Sequence, residues 1–140
     1  MIRRLFTLIL IAFAFTLGFY FGQNPDAENF SSVSTATSTV SIIINKDVGF
    51  AEVIPRAELN AGESLFDLLK KTTKTKGIEL SYKDYGGSMG MFITSIARTS
   101  ASGDKWWQYW VNGQYANVGV SSSIPKAGDV VEFRLTNEQN

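Results

Sequence analysis

Lys105-Trp-Trp-Gln-Tyr-Trp-Val-Asn-Gly113 holds all three tryptophans of the chain within five residues and runs them into a turn. Asn112-Gly113 is the strongest short hairpin signal a sequence offers, because a type I′ turn needs positive φ at both central residues. The stretch before it therefore reads as a β-strand, and the fold as one built on hairpins. Side chains of a strand alternate between two faces: Trp107, Tyr109 and Val111 share one, Trp106, Gln108 and Trp110 the other. With the first set in the core, the second is expected to form an open platform of two indoles flanking an amide, suited to a planar or amphipathic ligand. The opposing expectation is burial of both faces, since aromatic side chains dominate cores. Gln108, with two donors and an acceptor to satisfy, favours a partly wet face.

Outward from this strand the alternation recurs. Gln114 to Val118 is expected to return beside it, Pro125 to Gly128 to turn the chain, and Val131, Phe133 and Leu135 to alternate with Val130, Glu132 and Arg134 in a last strand. Upstream, Met91 to Ile96 reads as a strand and Arg98 to Asp104 as a polar connection. Ile78, Leu80 and Tyr82 form a short strand before a loop at Asp84 to Gly87. Val40, Ile42 and Ile44 share one face of a first strand, Phe50 to Ile54 make a second, and Lys46 to Gly49 turn between them. Leu65, Phe66, Leu68 and Leu69 follow helical spacing, with Ser64 as N-cap and Asp67 three residues on. Glu63 and Asp67 at the start, and Lys70, Lys71 and Lys74 at the end, match the helix dipole, so the lysine run reads as a solvated helix end rather than an anion site. One helix packed on a small, mostly antiparallel sheet is an α+β domain.

The 140 residues contain 44% hydrophobic and 19% charged side chains, which is ordinary for a single folded domain with accessories. Without Arg3 and Arg4, 11 of the 13 basic residues remain against 13 acidic ones. No basic stripe exists to neutralise phosphates, so nucleic acid is not an expected partner. Cysteine and histidine are both absent, which excludes Cys or His zinc sites, Cys nucleophiles, Ser-His-Asp triads and disulfides.

Residues 1–23 read as a signal anchor. Met1 to Arg4 is short and basic, and Leu5 to Phe21 is an apolar run at the lower limit for spanning a bilayer. A cleaved signal peptide would place small residues before the cut, where this run has Gly18-Phe19-Tyr20-Phe21-Gly22. An uncleaved single-pass helix, with Arg3 and Arg4 inside, puts the remainder of the chain outside the cell membrane. Residues 24–39, polar and rich in Ser and Thr, read as a flexible linker, and residues 40–137 as the domain.

Five segments of that domain carry a family resemblance. Ser88-Met89-Gly90-Met91-Phe92-Ile93-Thr94-Ser95-Ile96, Trp106-Trp107-Gln108-Tyr109 and Asn117-Val118-Gly119-Val120 resemble the C-terminal domain of transcobalamin and intrinsic factor. Gly62 to Leu69 and Ala127 to Phe133 are similar to bacterial transcobalamin-like surface domains. The resemblance implies a β-grasp-like fold that binds a soluble ligand without transforming it, with cobalamin a candidate and no covalent cofactor. It implies two ligand-touching segments: Ser88, Met89, Gly90, Met91, Phe92 and Ile93 in one, and Trp106, Trp107, Gln108, Tyr109, Trp110, Gln114 and Tyr115 in the other. The family's helical barrel has no counterpart in these residues and there is no His to ligate cobalt, so one side of such a site is expected here.

Enzyme motifs are weak. Ser123-Ile124-Pro125-Lys126 matches S-x-x-K, but it falls in an expected loop and lacks the companion motifs Ser-Asp-Asn and Lys-Thr-Gly. Asp104, Asp129 and Glu132 are scattered, with no calcium-loop spacing. The sequence therefore predicts a membrane-anchored, non-catalytic binding domain without a metal site. Its partner is a small molecule, or an envelope protein if the module is adhesive.

Overall fold

Alternation in Thr39–Asp47 (β1) builds the centre of the molecule. Val40, Ile42 and Ile44 are each at most 1% exposed, while Ser41, Ile43 and Asn45 turn to the opposite face. The computed structural model of the chain describes residues 37–47, 50–87 and 89–138. The expected anchor, linker residues 24–36 and Ser88 lie outside the described residues. No helix among the described residues is long and apolar enough to cross a membrane.

β1 pairs on one side, antiparallel, with Phe50–Glu58 (β2) and on the other, parallel, with Val130–Thr136 (β8). β2 is longer than the sequence predicts because it continues through Pro55, which an edge strand tolerates. β8 then pairs antiparallel with Trp106–Val111 (β6), and β6 with the two-residue Gln114–Tyr115 (β7). The sheet order is β2-β1-β8-β6-β7. The expected mostly antiparallel pairing is found, and the expectation of a single sheet is corrected. The main sheet carries one parallel pair at its centre, and a second sheet of three antiparallel strands, Leu80–Asp84 (β3), Met91–Ile96 (β4) and Thr99–Ser100 (β5), stands beside it.

Leu65–Lys76 (α1) covers one face of the main sheet. Leu65, Leu68 and Leu69 are fully buried with Ile42, Ile44, Val131 and Phe133, and burying each such side chain stabilises by about 1.5 to 3 kcal/mol. Ser64 Oγ accepts from the Asp67 N–H at 3.1 Å and donates to Asp67 Oδ2 at 2.6 Å, so the N-cap falls where the sequence predicts it. Gly77 ends the helix at φ 68°; its N–H donates to Lys74 O and that of Ile78 to Thr73 O, a Schellman motif. That motif occupies Ile78, so the next strand begins later than predicted, at Leu80–Asp84 (β3). Met91–Ile96 (β4) lies as expected. Ala97 and Arg98, both at positive φ, turn it into Thr99–Ser100 (β5) inside the predicted polar connection.

Candidate functional site

Local chemistry fixes the aromatic strand from its turn. Asn112 and Gly113 sit at φ 51° and 77°, as a type I′ turn requires. Asn112 Oδ1 accepts from the Val130 N–H at 2.9 Å, and its Nδ2 donates to Asp129 Oδ1 at 2.8 Å, tying the turn to the start of β8. Trp107 and Tyr109 then face the core and are 7% and 6% exposed. Trp107 Nε1 donates to Thr99 O at 3.0 Å, and the Tyr109 hydroxyl donates to Val118 O at 2.6 Å. Burial pushes the Tyr109 phenol above its ordinary value, so it stays neutral and remains a donor.

The other face corrects the open-platform expectation. Trp106 is 44% exposed, but Gln108 and Trp110 are 7% and 2% exposed. The β6–β8 register sets Arg134 opposite Gln108 and Glu132 opposite Trp110, so an ion pair lies across this face. Arg134 is held by Glu132 at 2.6 Å and stacks its guanidinium 4.3 Å from the Trp110 ring centroid, while Tyr115 meets the same indole edge-on at 5.4 Å. Hydrogen bonding to Arg134 lowers the Glu132 pKa and the same contact raises that of Arg134, keeping both charged. Gln108 Nε2 donates to Thr136 O at 2.9 Å; its Oε1 is buried and has no hydrogen-bond partner among the described residues.

The two predicted segments meet at a cavity of about 190 Å³. Met91, Phe92 and Ile93 of β4 form one wall, Trp106, Trp107, Gln108 and Tyr109 of β6 another, and Tyr115 closes one end. Ser121 Oγ accepts the Met91 N–H at 2.9 Å and fixes the near end of β4. Four predicted residues do not line the cavity: Met89 is 70% exposed, Trp110 lies under Arg134, Gln114 is exposed, and Gly90 packs on Ser121. Gly90 stands at φ 60°, where an added Cβ would come within 2.6 Å of Ser121 Oγ.

Ala116, Val118, Gly119 and Val120 line the cavity as well and were absent from the predicted site. They follow from where β7 stops. The sequence predicts a return strand to Val118, but pairing ends at Tyr115, with one further bond from the Ala116 N–H to Tyr109 O. The chain then turns to the start of α1, where Val120 O and Ser123 O accept the free N–H groups of Phe66 and Leu65. Gly119, inside a stretch that already carried the resemblance, was the available signal.

Tyr85, Met89, Phe92, Trp106 and Val118 are exposed apolar side chains of this region, and Phe92, Trp106 and Val118 border the cavity. A second cavity, about 280 Å³, lies between β2 and the C-terminal half of α1 with Arg56, Glu58, Lys71 and Lys76 around it. Lys71 is bound to Glu63 at 2.8 Å and the carbonyl end of the helix repels anions there, in keeping with a solvated helix end. Among the described residues no group of three or more Asp or Glu is placed to hold a metal ion.

A mixed sheet crossed by one helix, with a neutral cavity at a strand edge, defines a domain of transcobalamin-like fold. Haptocorrin in complex with Cbi shares that fold at a TM-score of 0.62 and 18% identity, over 70% of this chain and 24% of haptocorrin. The chain thus spans about a quarter of haptocorrin. By sequence the chain belongs to the family described as a domain of unknown function (DUF4430), whose model matches residues 62–137. A Ruminococcus gnavus ATCC 29149 protein, for which metal binding has been suggested, aligns at a TM-score of 0.54 and 16% identity over 72% of this chain and 98% of its own. No curated protein matches the sequence.

Proposed function

We propose that this is a non-catalytic binding domain, carried outside the cell membrane by the helix expected at residues 5–21, that holds a corrinoid or a related amphipathic small molecule against β4 and β6. The observation that carries the reading is the convergence of two segments, Met91–Ile93 and Trp106–Tyr109, on one cavity with an apolar rim. The haptocorrin likeness supports the ligand class. The cavity wall holds no carboxylate, lysine or arginine, and its Tyr109 hydroxyl is engaged with Val118 O, which favours binding over catalysis. A protein-interaction module is the second reading, favoured by the exposed side chains of Phe92, Trp106 and Met89.

Tryptophan fluorescence of the full-length protein, titrated with cobinamide and cobalamin, tests the first reading. A site open on one side predicts dissociation constants in the micromolar range, about −8 kcal/mol at best. Phe92→Ala and Trp106→Ala, both at partly exposed positions, should weaken binding while costing under about 1 kcal/mol of stability. Unchanged affinity in both variants places the ligand elsewhere, and co-purification of an envelope protein through this rim in the absence of corrinoid binding favours the adhesive module. Retention in the membrane fraction after carbonate washing, with Met1 or Ile2 recovered in peptides, tests the anchor; a soluble form beginning near Gln23 overturns it.

A further inference from the structure

From Leu68 to Ile78 the chain carries four lysines and no acidic residue, a charge of +4, while the rest of residues 37–138 holds seven basic and eleven acidic side chains, a charge of −4. The domain is neutral as a whole and strongly polarised. Lys70, Lys74 and Lys76 are exposed and have no acidic partner among the described residues; Lys71 is paired with Glu63. Lys70 and Lys74 stand four apart on one helix face, where like charges destabilise. The helix dipole offsets only about half a charge.

This excess continues from the flank of α1 onto β3. Phe66 meets Tyr82 edge-on at 4.8 Å, and Lys70 Nζ lies 5.8 Å and 5.5 Å from the centroids of those two rings. Lys83 Nζ lies 4.6 Å over the Tyr85 ring. A cation beside a neutral ring keeps its charge while its apolar stem packs. Of the carboxylates bordering the flank, Asp67 is bound to Ser64, Asp84 accepts the Gly86 N–H, and Glu79 is paired with Arg98. β3 is an edge strand, Ser81 to Gly87 are all exposed, and Tyr82 and Tyr85 are 38% and 49% exposed. Nothing among the described residues covers this side. Exposed tyrosines beside lysines are the mixture that suits the headgroup layer of a bilayer, with the ring at headgroup depth and the ammonium reaching phosphate.

We propose that the α1–β3 flank is a docking face for an anionic lipid bilayer, on which Lys70, Lys74, Lys76 and Lys83 meet headgroup phosphates and Tyr82 and Tyr85 settle among the headgroups. Four lysines fall short of the stripe that a nucleic acid needs, and a solvated helix end makes no pocket for a single anion. A bilayer surface requires neither, because its negative potential is diffuse and each lysine near it contributes separately. The anchor expected at residues 5–21 would keep the domain beside such a surface, where tethering makes a weak affinity sufficient. The inference uses that anchor but no ligand in the β4–β6 cavity.

Full-length protein in nanodiscs of phosphatidylcholine, with or without about one-third phosphatidylglycerol, provides the test. Acetylation by a limiting amine-reactive reagent, read by mass spectrometry, reports each lysine separately. Lys70, Lys74, Lys76 and Lys83 should label at least about threefold more slowly in the anionic discs, with Lys46, Lys105 and Lys126 unchanged. The protection should vanish in about 1 M sodium chloride, where the screening length falls to about 3 Å. Lys70→Gln combined with Lys74→Gln, both at exposed positions, should return Lys76 and Lys83 to their rates in phosphatidylcholine. Equal rates in the two lipids, protection of Lys105 or Lys126 as strong as that of Lys70, or protection that survives the double substitution overturns the proposal. Protection of the four lysines in neutral discs as well would place a protein partner on this flank and overturns it too. Recovery of the protein outside the discs would remove the anchor alone, and the same labelling with free vesicles of the two compositions then decides the docking.

Discussion

Tyr109→Phe removes one oxygen atom and tests the contact that anchors the chain after β7. The hydroxyl donates to Val118 O at 2.6 Å, and Val118 belongs to the segment that runs on to accept the first free N–H groups of α1. Losing a neutral hydrogen bond costs about 1 kcal/mol, and up to about 3 kcal/mol where the abandoned partner stays dry. Val118 is 53% exposed, so water reaches its carbonyl and the lower figure applies, a fall in Tm of roughly 4 to 8 °C for a domain of this size. pH gives a second, independent reading. Burial raises the folded-state pKa of this phenol, so its contribution is fully present below the ordinary tyrosine value near 10 and is lost as pH rises through the folded one. Urea unfolding of the compact unit Ala36–Asn140, measured from pH 7 to 11 for parent and variant, should give curves separated by about 1 kcal/mol at pH 7 that converge or cross above pH 10. The other tyrosines are common to both proteins and cancel in the difference. Identical stability at pH 7 would show that the bond does not hold the loop, and a separation independent of pH would refute the buried phenol.

Trp110→Ala should cost about 3 to 5 kcal/mol, as truncation of a buried aromatic does, because this indole is 2% exposed beneath Arg134. Trp106→Ala, at a 44% exposed position, should cost under about 1 kcal/mol, and a Trp110→Ala loss as small as that, measured by urea unfolding, would restore the open platform. Glu132→Gln should flatten the acid limb of the stability curve. The lowered pKa of Glu132 means that its contribution is present above the ordinary glutamate value and disappears as pH falls through the folded one; parallel acid limbs for parent and variant would count against that pairing.

Which features could be read from the sequence follows from how local their causes are. The β1 alternation, the Ser64 cap and the Asn112-Gly113 turn each depend on a few neighbouring residues, and each lies where the sequence predicts it. The parallel pairing of β1 with β8 joins residues some 90 positions apart, and no local pattern encodes it. Trp110 shows the same limit at the site. Period two assigns its face correctly, but its burial depends on an Arg134 side chain brought across by the β6–β8 register. Met91–Ile93 entered the predicted site through resemblance rather than through its residues, since nothing in Met-Phe-Ile distinguishes a cavity wall from a core strand.

The early end of β7 links stability to the site. Had the return strand run on to Val118, as alternation predicts, it would have paired the Trp107 edge and filled the space beside β4. Instead Val120 and Ser123 give their carbonyls to Phe66 and Leu65, satisfying donors that the first turn of any helix leaves free. An unpaired strand edge is a liability for aggregation when it is long and exposed. Here the free stretch is short, Trp107 is 7% exposed, and β4 stands opposite, so the edge is shielded from pairing with another strand. The diversion that completes the helix cap is thus the same one that leaves a protected, hydrogen-bonding edge inside the cavity.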